Sequence, residues 1–269
     1  MTRAPVKVCG LSTSEHVRAA CEAGAVAVGF VLTQSVRRVT PEQAAALCEL
    51  VPAGVLRVGV FRRLEVGELA TVLAQVPLTH VQADWIDEPV FDEAIAEAVW
   101  RAPAMRSVTF IPVFRDVPTL RIDLANEAST WPAARLILLE GLDSGTGRQP
   151  DWGRLARALD ATPHPRVMLA GGLHAGNVAA AVRLLSPAMV DVSSGVESSP
   201  GVKDPVKIAE FILAARAAMT SSAITPSATS GAESAAASGA ASGARHDILT
   251  RDADATTSHR ASSVDRPTP

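Results

Sequence analysis

Short β-branched and apolar runs alternate along residues 1–219 with longer Ala-rich segments whose apolar positions recur at helical spacing. The runs predict strands over 6–9, 25–31, 56–61, 80–82, 107–113, 135–140, 166–170 and 190–193. The segments between them predict helices over 13–23, 41–51, 64–75, 90–100, 118–128, 152–159, 175–184 and 205–219. Pro41 and Pro205 suit first-turn positions, where a missing N–H loses no hydrogen bond, and Thr40 and Asp204 precede them as N-caps. Eight strand–helix units in this order predict an α/β fold of the closed (β/α)8 TIM-barrel type. A doubly wound open sheet is the alternative, but no G-x-G-x-x-G follows the first strand.

Composition changes sharply near Met219. From Thr220 to Pro269 the chain is mostly Ala, Ser, Gly, Thr and Pro, and its charges nearly cancel. Such a segment buries too little apolar surface to offset the entropy of ordering it. The expected organisation is a barrel over 1–219 and a disordered tail over 220–269. A net charge of −3, 4% aromatic residues and no Tyr leave no basic surface interleaved with stacking rings, so no nucleic-acid partner is expected. Cys9, Cys21 and Cys48 are widely spaced, which fits a reducing cytoplasm better than a disulfide framework. No apolar run reaches membrane-spanning length, and the N-terminus enters its first strand without room for a signal peptide. The expectation is a cytoplasmic protein without a membrane partner, and both a monomer and a homodimer fit.

In a barrel, chemistry belongs at the C-terminal ends of the strands. Those ends hold Cys9, Gln82 with Asp84, Arg115, Glu140 or Asp143, Gly171 with Gly172, and Asp191 with Ser193, Ser194 and Gly195. Val167-Met-Leu-Ala-Gly-Gly-Leu173 and Met189-Val-Asp-Val-Ser-Ser-Gly-Val-Glu197 are two successive strand ends rich in glycine and hydroxyls. The second is expected to lead into a helix. Together they offer converging backbone N–H groups with little bulk, the requirement of a phosphate held from two sides. Cys9 is a small core residue or, beside a helix N-terminus, a thiol of lowered pKa that works as a base. Arg37 is a solvated arginine or a planar fork for a ligand carboxylate. Glu140 ends the apolar run Leu136-Ile-Leu-Leu139, so its carboxyl belongs at the mouth, where burial without a purpose costs roughly several kcal/mol. Asp143, in the glycine-rich loop that follows, is its competitor or an ordinary turn residue. Asp191 receives a sugar hydroxyl or orients the serine loop. No histidine spacing suits a metal, and none is expected.

These motifs, in this order, resemble the phosphoribosylanthranilate isomerase family. The resemblance rests on Lys7-Val-Cys-Gly-Leu11, Val28-Gly-Phe30, Ser35-Val-Arg-Arg-Val-Thr-Pro-Glu-Gln-Ala44, Val58-Gly-Val-Phe61 and Val81-Gln82. It continues through Gly145-Thr-Gly147, Asp151-Trp152, Ala170-Gly-Gly-Leu173 with Asn177-Val178, Val190 to Glu197, and Pro200-Gly-Val-Lys-Asp204. It covers residues 5–215 and implies an Amadori rearrangement of a phosphosugar substrate in tryptophan biosynthesis, run by general acid and base without a cofactor. It implies Cys9 as the base and Arg37 as the holder of the anthranilate carboxylate. The glycine and serine loops would hold the phosphate.

The family's acid is an Asp ending strand six, where this chain has Glu140, with Asp143 as the other choice. Asp84 stands where the family carries a His, and Arg148 where it prefers Lys. Those departures motivate an alternative: a divergent, catalytically impaired phosphosugar-binding barrel with a regulatory or binding role.

Overall fold

A computed structural model describes residues 3–62, 66–84, 108–116, 136–141, 151–160 and 166–224. Eight parallel strands close into a barrel in chain order. They are β1 (Ala4–Cys9), β2 (Ala25–Val31), β3 (Leu56–Phe61), β4 (His80–Asp84), β5 (Thr109–Asp116), β6 (Leu136–Gly141), β7 (Arg166–Leu169) and β8 (Met189–Val192). The described helices are α1 (Ser14–Ala23), α2 (Pro41–Glu49), α3 (Val66–Gln75), α4 (Trp152–Asp160), α5 (Val178–Leu185) and α6 (Pro205–Ile224). The helices expected over 90–100 and 118–128 lie outside the described residues, as does most of the expected tail. No described helix is long and apolar enough to cross a membrane.

Closure is made by β1 and β8, with Val6 opposite Val190, Lys7 opposite Asp191 and Val8 opposite Val192. The period of two along a strand then sorts the side chains. Val6, Val8, Val190 and Val192 join the large core beneath the helices. Ala27, Val58, Ile111, Val113, Leu138 and Met168 form a second cluster, which fills the barrel interior. Lys7, Cys9 and Asp191 alternate with the outward valines and so share that inward face.

Local signals explain the helix starts. Thr40 and Gln43 form a reciprocal capping box with Pro41 in the first turn. The Asp204 carboxylate accepts from the backbone of Val206 (2.9 Å) and Lys207 (3.3 Å) ahead of α6. α6 runs on past Met219 to Ile224, and inside it the Thr220 and Ser221 hydroxyls donate back to Arg216 O and Ala217 O.

Other expectations change as well. β4 extends beyond Gln82 because Ala83 and Asp84 keep pairing with Pro112 and Val113 of β5. α5 begins at Val178, not at 175, because the Asn177 side chain clips the preceding loop: it accepts from His174 N (2.8 Å) and donates to Gly172 O (2.9 Å). Finally, Ser193-Ser-Gly195 does not lead directly into a helix. One 3-10 turn (Ser194–Val196) gives way to the antiparallel hairpin β9 (Glu197–Ser199) and β10 (Val202–Lys203), reversed at Pro200-Gly201 with Gly201 at φ 84°.

Candidate active site

The C-terminal ends of the strands surround a cavity of about 790 Å³, open water included. Cys9, Arg37, Gln82, Glu140, Asp191 and Ser193 all face it. Cys9 ends β1 and Glu140 lies on β6, three strands away around the barrel. A smaller space of about 320 Å³ adjoins it, lined by Gly171, Gly172, Ser193 and Ser194 and bordered by Glu140 and Asp191. The two spaces share Glu140, Asp191 and Ser193, so they are parts of one site.

The smaller space is built by two loops that touch. Gly171 and Gly172 turn the β7–α5 loop with φ of 92° and 62°, a conformation that glycine adopts without strain. A Cβ on Gly195 would run into the Leu173 carbonyl, so only glycine lets the β8 loop lie against its neighbour. The result is a small concavity bounded by glycine backbone and serine hydroxyls, with the chemistry to hold a phosphate.

Gln82 and Asp191 line the main cavity, and one side-chain acceptor on each has no hydrogen-bond partner among the described residues. These acceptors are Gln82 Oε1 and Asp191 Oδ1, on residues 6% and 8% exposed. Buried acceptors are nearly always satisfied, which sets these two apart from the rest of the lining. The other Asp191 oxygen, Oδ2, accepts from Lys7 Nζ at 2.9 Å. Sequence reasoning gave Lys7 no role, although strand alternation already placed it on the same face as Cys9. Against the lowered value expected of a base, the Cys9 thiol is pushed above its ordinary value by burial and by Asp191, and Lys7 and Lys203 pull it back only in part. Ser193 Oγ donates to Cys9 O at 3.1 Å, tying the serine loop to β1.

Arg37 reaches the site from the β2–α2 loop, but its fork is already engaged. Nε and Nη2 donate to the two carboxylate oxygens of Glu197 at 2.7 and 2.8 Å. Lys203 Nζ donates to Glu197 Oε1 (2.6 Å), Ser193 O (3.0 Å) and Ser193 Oγ (3.1 Å). Glu197 and Lys203 were quoted above only as parts of motifs. The hairpin aims both at Arg37 and fixes the guanidinium plane, while the Nη1 edge is not used in these bonds.

Burial works against the Glu197 charge, but Arg37 and Lys203 overcome it and hold the carboxyl down at about 2. The ordinary value is 4.5, so Glu197 adds stability that is fully present above that pH and lost as pH falls through about 2. Glu197→Gln is therefore expected to melt well below the wild type at neutral pH, with the gap closing in acid. Thermal melts of both proteins across that range measure it.

Asp143 lies outside the described residues, and so do the side chains of Asp84 and Arg115. Among the described residues no group of His, Cys, Asp and Glu is arranged to hold a metal.

The sequence profile of the N-(5'-phosphoribosyl)anthranilate isomerase family matches residues 6–214. The N-(5'-phosphoribosyl)anthranilate isomerase of Herminiimonas arsenicoxydans is 37% identical over 219 residues, covering 80% of this chain and 94% of that protein. The crystal structure of phosphoribosyl anthranilate isomerase from Thermotoga maritima superposes with a TM-score of 0.64 at 32% identity, covering 81% of this chain and all of that one. A further structure of the enzyme, in complex with reduced 1-(o-carboxyphenylamino)-1-deoxyribulose 5-phosphate, matches with a TM-score of 0.62 at 32% identity over the same shares. With its closed barrel, its paired glycine and serine loops and a match over nearly the whole described body, the chain belongs to the N-(5'-phosphoribosyl)anthranilate isomerase family.

Proposed function

We infer that this chain isomerises N-(5'-phosphoribosyl)anthranilate to 1-(2-carboxyphenylamino)-1-deoxyribulose 5-phosphate, a step of tryptophan biosynthesis, and that Cys9 and Glu140 carry its proton transfers. The observation that carries this reading is one cavity faced by a thiol from β1 and a carboxyl from β6, with glycine and serine loops at its side. A bound substrate needs these elements in this relation: its phosphate in the smaller space, its sugar between the thiol and the carboxyl, and its anthranilate toward Arg37.

Glu140 protonates the furanose ring oxygen. The bond from that oxygen to C1 breaks, and the anthranilate nitrogen lone pair forms the C=N bond of a Schiff base. The Cys9 thiolate then removes the proton on C2. The electron pair moves into a C1–C2 double bond and neutralises the iminium nitrogen, giving an enolamine. That species tautomerises to the C2 ketone as the C2 hydroxyl gives up its proton and C1 gains one, while the Cys9 thiol passes its proton on and the Glu140 carboxylate regains one. No atom or electron is gained overall, and Glu140 and Cys9 make the ring-opening and C2 transfers. Gln82 Oε1 and Asp191 Oδ1 accept sugar hydroxyls, and Arg37 Nη1 meets the anthranilate carboxylate while Glu197 holds the rest of the guanidinium.

Two outcomes check this reading. Expression of the chain restores growth without tryptophan to a strain lacking this isomerase; no growth with folded protein present favours a binding barrel instead. Gly195→Ala, which forces the β8 loop off Leu173, raises KM by about 10- to 100-fold, the effect of losing a charge-assisted hydrogen bond worth roughly 1.5–3 kcal/mol. Steady-state kinetics measure it, and inorganic phosphate becomes a weaker inhibitor in parallel.

A further inference from the structure

Lys7 is fully buried inside the barrel, directly below the rim. A buried ammonium is strongly disfavoured unless it is paired, and an apolar side chain at such a position packs as well or better. Perturbed, buried charges cluster where chemistry is done. Three observations tie Lys7 to Cys9. The two are separated by one residue on β1, so they project from the same face. A Cβ on Gly29, which pairs with Cys9 from β2, would lie 2.9 Å from Cys9 Sγ and 3.1 Å from Lys7 Cε. Both side chains therefore run past one bare Cα, and any larger residue there would push them apart. Lastly, Asp191 faces Lys7 across the β1–β8 pairing and holds its Nζ at 2.9 Å.

We propose that Lys7 is a positioning residue for the reaction: its ammonium, anchored by Asp191, stabilises Cys9 as the thiolate that takes the C2 proton. The proposal rests on the reading of Cys9 as the base. The charges facing the sulfur are Lys7 from β1, Asp191 from β8, Lys203 from β10 and Arg37 from the β2–α2 loop, with Glu140 of β6 on the same cavity. Of these, Lys7 exerts the strongest pull on the thiol, ahead of the opposing effect of Asp191. Burial opposes the Lys7 charge, yet Asp191 and Cys9 together hold its pKa above the ordinary lysine value. Asp191 thus serves two partners, Lys7 through Oδ2 and the sugar through Oδ1.

The test is the pH dependence of Cys9 alkylation by iodoacetamide, read at that residue by peptide mass spectrometry. The readout is independent of catalysis. Residue resolution matters because Cys21 is also partly accessible, whereas the buried Cys48 thiol is pushed up to about 11. In Lys7→Met the alkylation midpoint rises by about one pH unit or more, and kcat at neutral pH falls about tenfold for each unit, in step with the thiolate fraction. Lys7→Arg keeps the midpoint near that of the wild type. Lys7→Gln combined with Asp191→Asn leaves no unpaired buried charge and still raises the midpoint, by less than Lys7→Met because the smaller opposing effect of Asp191 is lost with it, which guards against a single variant that fails to fold. An unchanged or lowered midpoint in a folded variant lacking the cation overturns the proposal. Full activity in Cys9→Ser would instead overturn the base assignment on which it rests, so the two failures are distinguishable.

Discussion

Cys9→Ser is expected to lower kcat by about 10³- to 10⁴-fold and to leave KM within a few-fold of the wild type. Serine nearly matches the thiol in size and sits on the same strand, so the cavity and its glycine and serine loops keep their shape. A hydroxyl, however, ionises far above the range of a thiol, and Lys7 cannot hold an alkoxide at neutral pH. The pocket still binds and the acid can still open the ring, but the C2 proton has no acceptor. A split of this kind, kcat lost and KM kept, marks an interaction made only in the transition state. Steady-state kinetics on the two proteins measure it, and a matching fall in kcat and rise in KM would instead point to damaged binding.

The second large effect belongs to Glu140. Glu140→Gln keeps the shape but donates no proton to a ring oxygen, and kcat is expected to fall by about 10²- to 10⁴-fold. Glu140→Asp draws the carboxyl back by one methylene, toward β6. A displacement on the order of 1 Å costs up to about 100-fold in such a site, so this variant falls between the wild type and Glu140→Gln. Asp143→Asn, assayed beside them, is expected to change kcat little. If Asp143→Asn abolishes turnover while Glu140→Gln does not, the acid has been assigned to the wrong carboxyl.

The barrel was legible because its strands are coded locally. β2 and β3 begin and end where their β-branched runs do, at Ala25–Val31 and Leu56–Phe61. Strand ends then place the chemistry, since the closed topology gathers them at one rim; Cys9, Glu140, Asp191 and Ser193 share a cavity for that reason. What escaped notice was carried by pairings across the chain. Lys7 meets Asp191 across 184 positions and Arg37 meets Glu197 across 160, and nothing local to either residue announces its partner. The β9–β10 hairpin was also hidden, because Ser-Ser-Gly reads as a helix entry until Pro200-Gly201 is recognised as a reversal. Once Glu197 and Lys203 stand opposite each other, a motif that looked like a phosphate loop alone is seen to orient Arg37 as well.

The most direct test of the thiol and carboxyl acting together is the loss of anthranilate fluorescence from N-(5'-phosphoribosyl)anthranilate in the presence of EDTA. The wild type is expected to extinguish the signal over many turnovers, and Cys9→Ser combined with Glu140→Gln to leave it at the uncatalysed rate. A flat trace from folded wild-type protein, or an undiminished decay from the double variant, would contradict the account.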